Sequence, residues 1–571
     1  MPDLTQGQLI GIEEAEVEAT PAGSWQATAT ETLLDIVRRE LDEPEMGPDD
    51  DFYAMGGDSL VALRVVTEAE SRGIALTLRD LLYNPTVREL VAAVSVAPTT
   101  GVPLAPDVPV DEPFGLLTPG DRALLPAGLD DALPALAMQL GMIYQCEASG
   151  DPRLYHSIAG WEVEGTFDEA LLGAALDRLT ARHPALRTSF DLGTFSTAMQ
   201  LVHRDVPRRL QVDRTDDDSD RLATCAEQWR EHQLDAGIDW REPPLLRCHV
   251  ACAPRRFTVT LAMHHAVVDG WSYGRLVSDL MSDYDAALSG SLLDAPPVPL
   301  HGHRELLEAE MAALASEESA AHWLAECDVA PLLSLRERLS GPADLNAGYA
   351  FELGPSVLDG LMSAARNEGT SLKSLVLGAF AGALGLWTGR ERDVVTGAAV
   401  STRPESADSD RLVGLFLNTL PMRFRCVTTT WADLAHAARE AERAAAPHRC
   451  YPLAEIERRL GRPAFDVSFN YANFHVYRGL DELSSVRVGR PWTVSKPSLP
   501  LLVDFEVVDA SRGQAAVLVD FDPAVVDAAS AAELRDLYRD ALERAAADPG
   551  GAVTGKGAAP GRRGAASERR T

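Results

Sequence analysis

Apolar residues recur at helical spacing in four short segments near the start of the chain. These segments are residues 26–41, 59–69, 78–82 and 86–94. A spacing of three or four positions between apolar side chains is typical of helices that bury one face. The pattern therefore predicts a small all-α domain of four helices over residues 25–96.

From about residue 130 to residue 548 the pattern becomes a mixture of two periods. Apolar runs typical of strands occur at residues 251–263, 393–400, 501–508 and 515–521. Runs with a helical period occur at residues 168–181, 273–288, 306–324, 372–386, 432–446 and 532–545. Helices interspersed with strands in this way predict α/β or α+β architecture.

Composition separates these folded regions from three others. Residues 1–24 are polar and acidic, and they predict a disordered leader. Residues 97–128 begin with proline alternating with small residues, which is typical of a semi-rigid extended linker. Residues 549–571 are rich in Gly, Ala and Arg, and they predict a flexible tail.

The chain has 571 residues and a formal net charge of −34. Such a surface repels phosphates, so we expect neither nucleic acid nor an anionic membrane as a partner. No apolar run reaches the length of a membrane span, and the acidic N-terminus has no secretory signal. The seven cysteines contain no CxxC pair and are interpreted as reduced thiols. Together these features favour a cytoplasmic location.

Two glycines precede the second predicted helix, in the run GGDSL at residues 56–60. Glycine permits a tight turn that a side chain would oppose. Ser59 then opens a helix, where unpaired N–H groups and the helix dipole favour a phosphodiester. A serine at this position can equally be a simple helix N-cap. The residues alone leave both interpretations open.

Residues 51–60, DFYAMGGDSL, resemble the acyl and peptidyl carrier domains. In that family the serine carries 4′-phosphopantetheine, whose thiol holds an acyl or aminoacyl thioester. The resemblance implies that Ser59 carries this cofactor and that a phosphopantetheinyl transferase attaches it.

Two histidines lie at a predicted strand-to-helix turn, in residues 263–272, MHHAVVDGWS. Because neighbouring strand residues face opposite sides, one of His264 and His265 should point into the fold and the other into a cleft. A histidine in a cleft can act as a general base or position an amine. Asp269 can pair with an arginine, and Gly270 lets a substrate approach the backbone closely. No HExxH motif or third ligand accompanies the pair, so we expect no metal.

The run HHAVVDG at residues 264–270 resembles the condensation family of nonribosomal peptide synthetases. Other stretches resemble further motifs of that family in the expected order, at residues 139–144, 181–190, 413–423, 451–452 and 465–471. The resemblance covers residues 130–548 and implies an α/β fold of two chloramphenicol-acetyltransferase-like lobes, with His265 in a tunnel between them. We place the lobes at residues 129–300 and 301–548.

The family also implies roles for the residues of this motif. Its second histidine, here His265, is the active-site residue, while His264 and Asp269 are structural. The aspartate pairs with an arginine, for which Arg403 in the second lobe is the candidate and Arg187 the alternative.

Together the two resemblances imply a nonribosomal peptide synthetase segment in which Ser59 holds the donor thioester. The condensation domain would transfer the donor to the amine of an acceptor on a downstream carrier domain, forming an amide. The sequence shows no adenylation-domain motif. A separate adenylation domain or protein would therefore load Ser59. Attack by a hydroxyl, which gives an ester, stays open.

Three other types of domain in this family have functions different from condensation. Epimerisation domains share the histidine motif but typically replace the Asn418-Thr419 pair that this chain keeps. Heterocyclisation domains carry aspartates in place of the histidines and are excluded. Catalytically silent recruitment platforms usually lose the second histidine, and His265 is present. The motifs therefore favour condensation over epimerisation and recruitment.

Overall fold

The computed structural model describes residues 22–57, 59–96, 112–215, 219–291, 298, 300–329, 347–389, 393–405, 409–425, 429–473, 475–496, 499–509 and 513–553. Four helices form a bundle in the first two of these ranges: α1 (Ala22–Leu41), α2 (Ser59–Ser71), α3 (Leu78–Tyr83) and α4 (Val87–Val96). Their apolar faces meet in one core, which includes Leu33, Ile36 and Val37 of α1. This carrier region has the four helices that the apolar spacing predicts.

Residues 112–291 form most of the first lobe of a larger α/β unit, the N-lobe. Its elements are α5 (Pro119–Arg122), β1 (Leu129–Pro134), α6 (Ala137–Ser149), β2 (His156–Glu164), α7 (Glu169–Arg182), β3 (Thr188–Asp191), β4 (Met199–His203), β5 (Leu210–Arg214), α8 (Ser219–Ala236), β6 (Leu246–Ala253), β7 (Arg256–His264) and α9 (Gly270–Leu288). Strands β2, β7, β6 and β5 lie side by side in one sheet, and β1, β4 and β3 form a second. Helices α7 and α9 pack on the first sheet and bury Trp161 and Phe257.

Residues 300–553 form the second lobe, the C-lobe. Its elements are α10 (His301–Leu314), α11 (Glu317–Glu326), β8 (Ala347–Leu353), α12 (Pro355–Asn367), α13 (Leu372–Thr388), β9 (Val394–Ser401), β10 (Leu417–Phe424), α14 (Trp431–Ala445), α15 (Leu453–Leu460), β11 (Val467–Asn473), β12 (Arg487–Val494), β13 (Leu501–Asp509), β14 (Gln514–Phe521) and α16 (Ala528–Ala547). Six strands form a sheet in the order β10-β9-β11-β13-β14-β8. Helix α13 is apolar almost all round, and it is buried among this sheet and the neighbouring helices.

The C-lobe sheet has one apolar face and one mixed face. On β13, Leu501, Val503 and Phe505 are buried in the helical core, while the residues between them are only partly buried. This alternation is expected for a strand that covers a core on one side. Part of the mixed face borders the cleft between the lobes.

One strand crosses from the C-lobe to the N-lobe. Strand β12 pairs antiparallel with β2 and extends the N-lobe sheet to the order β12-β2-β7-β6-β5. Gly160 of β2 leaves room for the ring of Trp492, because a Cβ at that position would approach the ring to 2.4 Å. A division of the lobes at residue 300 therefore misses this strand, which belongs to the N-lobe sheet.

Three boundaries differ from the sequence predictions. Helix α1 begins at Ala22, inside the predicted leader, whose preceding residues lie outside the described part. Residues 112–128 of the predicted linker contain α5, and their apolar side chains pack with β1 and β4. The first residues of the predicted tail, 549–553, are also folded, since the N–H of Ala432 donates to the carbonyl of Pro549 at 2.7 Å.

Among the described residues, no single helix is long and apolar enough to cross a membrane. Helices α12 and α13 reach that length and apolarity only as a pair, and they are bent by 105° at their junction. The described cysteines, which leave out Cys426, are free thiols.

Candidate active site

The two histidines lie where β7 ends. His264 is the last residue of that strand, and His265 opens a short 3-10 turn that leads to α9. The side chain of His264 is buried, and His265 borders a cavity between the lobes. The alternation of strand residues thus directs the first imidazole into the fold and the second into the cleft.

His264 supports the turn from inside. Its Nδ1 accepts a hydrogen bond from the N–H of Ala266 at 3.1 Å, and its Nε2 lies 3.7 Å from Sγ of Cys146. Burial, with a smaller effect of the neighbouring His265, lowers the pKa of His264 to about 4. His264 is therefore neutral at neutral pH and shapes the backbone from which His265 projects.

His265 is fixed through its backbone. Its N–H donates to the carbonyl of Tyr155 at 2.8 Å, and its carbonyl accepts from the N–H of Val268 at 3.3 Å. Burial lowers the pKa of its imidazole below the ordinary value of 6.5, against the opposing effects of backbone carbonyls and Asp269. A neutral imidazole that faces a cavity can accept a proton or a hydrogen bond at neutral pH.

A buried ion pair joins the two lobes next to the histidine turn. Arg403, which follows β9, donates to both carboxylate oxygens of Asp269, at 3.1 and 3.2 Å. The two residues are 3% and 5% exposed. Asp269 also accepts from the N–H of Ser272 at 2.7 Å, which caps α9, and from the N–H of Phe416 at 3.0 Å. The pair therefore fixes the turn that carries His265 against the C-lobe.

The alternative arginine does not reach this site. Arg187 donates instead to the carboxylate of Asp130 at 2.8 Å and to the carbonyl of Thr180 at 3.2 Å, both within the N-lobe. Arg187 therefore does not contact Asp269, and it stabilises the region around β1. Order along the sequence could not separate it from Arg403, because the choice depends on how the lobes meet.

A cavity of about 450 Å³ lies between the lobes beside His265. On the N-lobe side α6 and the histidine turn border it, with Gly141 and Gly270 among the lining residues. On the C-lobe side it is bordered by β9, β10, β11 and β13, including Thr419 and Asn470. Residues from several of the stretches that resemble family motifs thus line the same cavity. The volume of this cavity suits small-molecule groups.

The carrier region lies against the C-lobe. Contacts among the described residues include Asp51 with Arg439 (2.7 Å), Glu43 with Arg366 (3.1 Å), the N–H of Leu78 with Glu405 (2.9 Å), and the Tyr83 ring with the Arg443 guanidinium (4.7 Å). In two of these contacts a carboxylate of the carrier region meets an arginine of α12 or α14. The contact is therefore electrostatically complementary.

A narrower cavity of about 120 Å³ lies at this contact. Tyr53 and Gly57 border it from the carrier region, and residues of α13 and α14 border it from the C-lobe. Three residues border both this cavity and the larger one, namely Lys373, Val400 and Ser401. The two cavities are therefore neighbours: the smaller one borders Gly57, two residues before Ser59, and the larger one borders His265.

The glycine pair before Ser59 is required for two different reasons. Gly56 adopts a φ of 101°, which residues with a side chain rarely adopt. Gly57 packs against Phe52, where a Cβ would lie 2.3 Å from the ring. Helix α2 then begins at Ser59. The start of this helix, beside the smaller cavity that Gly57 borders, suits a phosphodiester.

Two family models match the chain. Residues 130–554 match the model of the condensation domain. The chain belongs to the condensation-domain family. Residues 31–94 match the model of the phosphopantetheine attachment site, so the first region is a carrier domain with covalent 4′-phosphopantetheine. The predicted order, a carrier domain followed by a condensation domain of nonribosomal peptide synthetase type, is confirmed, and with it the acyltransferase class of the second domain.

Known proteins similar to this condensation-domain protein include a synthetase and two solved structures. It is 36% identical over 562 residues to the AMB antimetabolite synthetase AmbE of Pseudomonas aeruginosa, covering 96% of this chain and 26% of that protein. The chain thus spans about a quarter of the length of that relative.

The first condensation domain of the calcium-dependent antibiotic synthetase matches with a TM-score of 0.62 and 19% identity, covering 74% of this chain and 98% of that one. The X-domain in complex with OxyB from teicoplanin biosynthesis matches with a TM-score of 0.61 and 23% identity, covering 75% and 96%. These similarities confirm the expected two-lobed α/β fold, of the chloramphenicol-acetyltransferase-like kind.

One residue that supports the condensation-domain site was not identified from sequence. Gln139 of α6 is buried, and its Nε2 donates to the carbonyl of Ala266 at 3.0 Å, next to His265. Its Oε1 accepts from the N–H of Leu136 at 2.9 Å. The sequence did contain a signal for Gln139, because residues 139–144 resemble one of the condensation-family motifs. A motif does not reveal, however, which backbone atom a side chain binds.

Replacing Arg403 with alanine should strongly destabilise the condensation domain. The change leaves the carboxylate of Asp269 buried without its cation, which typically costs about 3–5 kcal/mol of unfolding free energy. Urea denaturation followed by tryptophan fluorescence measures this loss. The matched control is Arg487→Ala, because Arg487 forms an ion pair with Glu164 and its side chain is 83% exposed. This variant should lose at most about 1 kcal/mol of unfolding free energy. Equal losses in the two variants would contradict the role of the buried pair.

Proposed function

We propose that the carrier domain delivers a donor group to His265 within the same chain, and that the condensation domain transfers this group to an acceptor amine. The observation that supports the proposal is the pair of neighbouring cavities between Gly57 and His265, which share three lining residues. In the proposal Ser59 holds 4′-phosphopantetheine, whose thiol carries the donor as a thioester. The acceptor arrives on a downstream carrier domain, and an adenylation domain or protein loads Ser59.

The proposed reaction is aminolysis of a thioester. The acceptor nitrogen forms a bond to the donor carbonyl carbon, and the bond from that carbon to sulfur breaks. The amine loses one proton, and the released sulfur gains one. The neutral imidazole of His265 accepts the amine proton or orients the amine through a hydrogen bond. Asp269 and Arg403 act as positioning residues, because they hold the turn from which His265 projects.

A catalytic role is favoured over that of a silent recruitment platform. The X-domain in complex with OxyB has the same fold, so the fold is compatible with either role. Recruitment of a partner needs only an outer surface, whereas transfer needs a path from the carrier serine to the cleft. His265 borders the larger of two neighbouring cavities, and the smaller one borders Gly57 near the carrier serine.

The direction of transfer tests this proposal. Ser59 is loaded with an acetylglycyl group from its coenzyme A thioester by a phosphopantetheinyl transferase, and a glycyl N-acetylcysteamine thioester serves as acceptor. We expect the acyl mass to leave the protein and the acetyl-dipeptide to appear on the small thioester, as measured by mass spectrometry. Retention of the acyl group on the protein, or growth of its mass, would contradict the donor role of Ser59.

Docking of the carrier domain should depend on charge. Arg366→Glu replaces the attraction between Arg366 and Glu43 with repulsion, and we expect transfer from Ser59 to slow roughly three- to tenfold, as for a surface ion pair. The double variant Glu43→Arg/Arg366→Glu restores the attraction and should restore the single-turnover rate. No rescue by the second change would show that this contact does not contribute to docking.

A further inference from the structure

One wall of the cavity beside His265 is the mixed face of the C-lobe sheet. The residues of this wall on β11 and β13 include Ser468, Asn470, Ala472, Leu502 and Asp504. They are alternate residues on adjacent parallel strands, and Asn470 is the register partner of Asp504. Asp504 is therefore a wall residue of the cavity that His265 borders.

The other charged groups on this cavity are already partnered. Arg403 and Lys373 are held by carboxylates at 3.1 and 2.8 Å, and Glu457 accepts from the N–H of Ala464 at 3.2 Å. Within the described ranges, no cation forms an ion pair with Asp504. Neither Asp504 nor Glu457 thus has a countercharge among the described residues, and Asp504 has two further carboxylates close by.

The surroundings of Asp504 make its negative charge costly. Its side chain is hydrogen-bonded to Asn470, while Glu506 and Asp520 lie close enough for their charges to act on it. Burial, followed by repulsion from these two carboxylates, raises the pKa of Asp504 to about 7. Burial also raises the pKa of Asp520 to about 6, and it raises that of Glu506. A cation placed beside Asp504 would relieve this cost more than a neutral hydrogen-bond donor of the same shape.

We propose that this cavity accepts a substrate with a cationic side chain, either an ammonium or a guanidinium, and that Asp504 is the residue that binds it. The inference rests on the proposed function and names the chemical class of one of its two substrates. The cation is separate from the reacting amine, because an amine must be neutral to attack the thioester. A charge-assisted hydrogen bond in a partly water-excluded site is stronger than one in water. Asp504 therefore selects for charge rather than for length.

The test compares arginine with citrulline, which have nearly the same shape but differ in charge. In the donor arm, Ser59 carries acetylarginyl or acetylcitrullyl groups, and the acceptor is a glycyl N-acetylcysteamine thioester. In the acceptor arm, Ser59 carries acetylglycine, and the acceptor is the arginyl or the citrullyl thioester. We expect arginine to react roughly 10- to 100-fold faster than citrulline in one of the two arms. The arm that shows the preference identifies which substrate carries the cation.

The variant Asp504→Asn keeps the shape of the side chain and removes its charge. We expect the ratio of arginine to citrulline rates to fall below about threefold. A general loss of activity cancels in this ratio, because both rates are measured in the same variant. The matched control is Glu543→Gln, which removes an exposed carboxylate on α16 and should preserve the ratio of the unmodified protein.

The outcomes separate this inference from the proposed function. Transfer of acetylglycine to glycine together with ratios near one in both arms would overturn the inference alone. An arginine preference that survives Asp504→Asn would also overturn it. Absence of product from every pair, including acetylglycine with glycine, would overturn the proposed function and the inference with it.

Discussion

His265→Ala is expected to reduce amide formation by about 10²- to 10⁴-fold, the usual contribution of a positioned acid–base group. The imidazole borders the cavity between the lobes, while His264 is buried behind it and Asp269, which also borders the cavity, is held by Arg403. Single-turnover transfer from Ser59 to a glycyl thioester measures the change. The thermal unfolding curve should stay close to that of the unmodified protein, because the turn is held by its backbone and by Asp269.

The matched control is His436→Ala, which removes a half-exposed imidazole on α14 outside the cavity. This variant should transfer at the rate of the unmodified protein. Full turnover by His265→Ala on the same substrate pair would contradict a catalytic role for His265.

The pH dependence of transfer supplies a second measurement of His265. Burial lowers its pKa below 6.5, so the neutral form dominates throughout the neutral range. If the neutral imidazole is the active form, the rate is high above this lowered pKa and falls as pH decreases through it. We therefore expect the rate to reach half of its maximum below pH 6.5. The decrease of the rate at low pH should be absent in His265→Ala. A half-maximal rate above pH 6.5 would contradict the lowered pKa.

The spacing of apolar residues predicted a helix or strand correctly where one uniform period spanned one helix or one strand. The four helices of the carrier domain follow directly from apolar spacing. The strand-like run at residues 251–263, however, spans the turn between β6 and β7, because the two residues between those strands, Pro254 and Arg255, carry no glycine or asparagine signal. The helical run at residues 306–324 covers both α10 and α11, since Ser316 caps a new helix without interrupting the apolar period.

Features that depend on contacts between the lobes could not be predicted. Alternation along β7 predicted that one of the two histidines faces the cleft, and the family resemblance implied that it is His265. For the partner of Asp269 the sequence indicated Arg403 as candidate and Arg187 as alternative, and the choice between them needs the lobes placed together. The crossing of β12 into the N-lobe sheet is a matter of topology, and a strand looks the same in sequence whichever sheet it joins. Asp504 was missed for the same reason, since alternation alone does not say which space a sheet face borders.

Ser59→Ala should abolish both attachment of phosphopantetheine and transfer from the carrier domain. Alanine has no hydroxyl to form the phosphodiester, so incubation with coenzyme A and a phosphopantetheinyl transferase should give no mass gain. The matched control is Ser71→Ala at the exposed end of the same helix, which should gain the full mass. A mass gain in Ser59→Ala would contradict the assignment of this serine.

The same variant separates attachment from catalysis. Ser59→Ala leaves His265 and its cavity intact, so it should still join an acetylglycyl N-acetylcysteamine donor to a glycyl acceptor at the slow rate of a diffusing substrate. His265→Ala should lose that reaction as well. The difference follows from the proposed path through the two cavities between Gly57 and His265: it would bring the donor to His265 at a high effective concentration, while the histidine acts on any donor that arrives. If Ser59→Ala also lost transfer from the diffusing donor, the serine would affect the cavity itself, and delivery along the path would no longer explain its role.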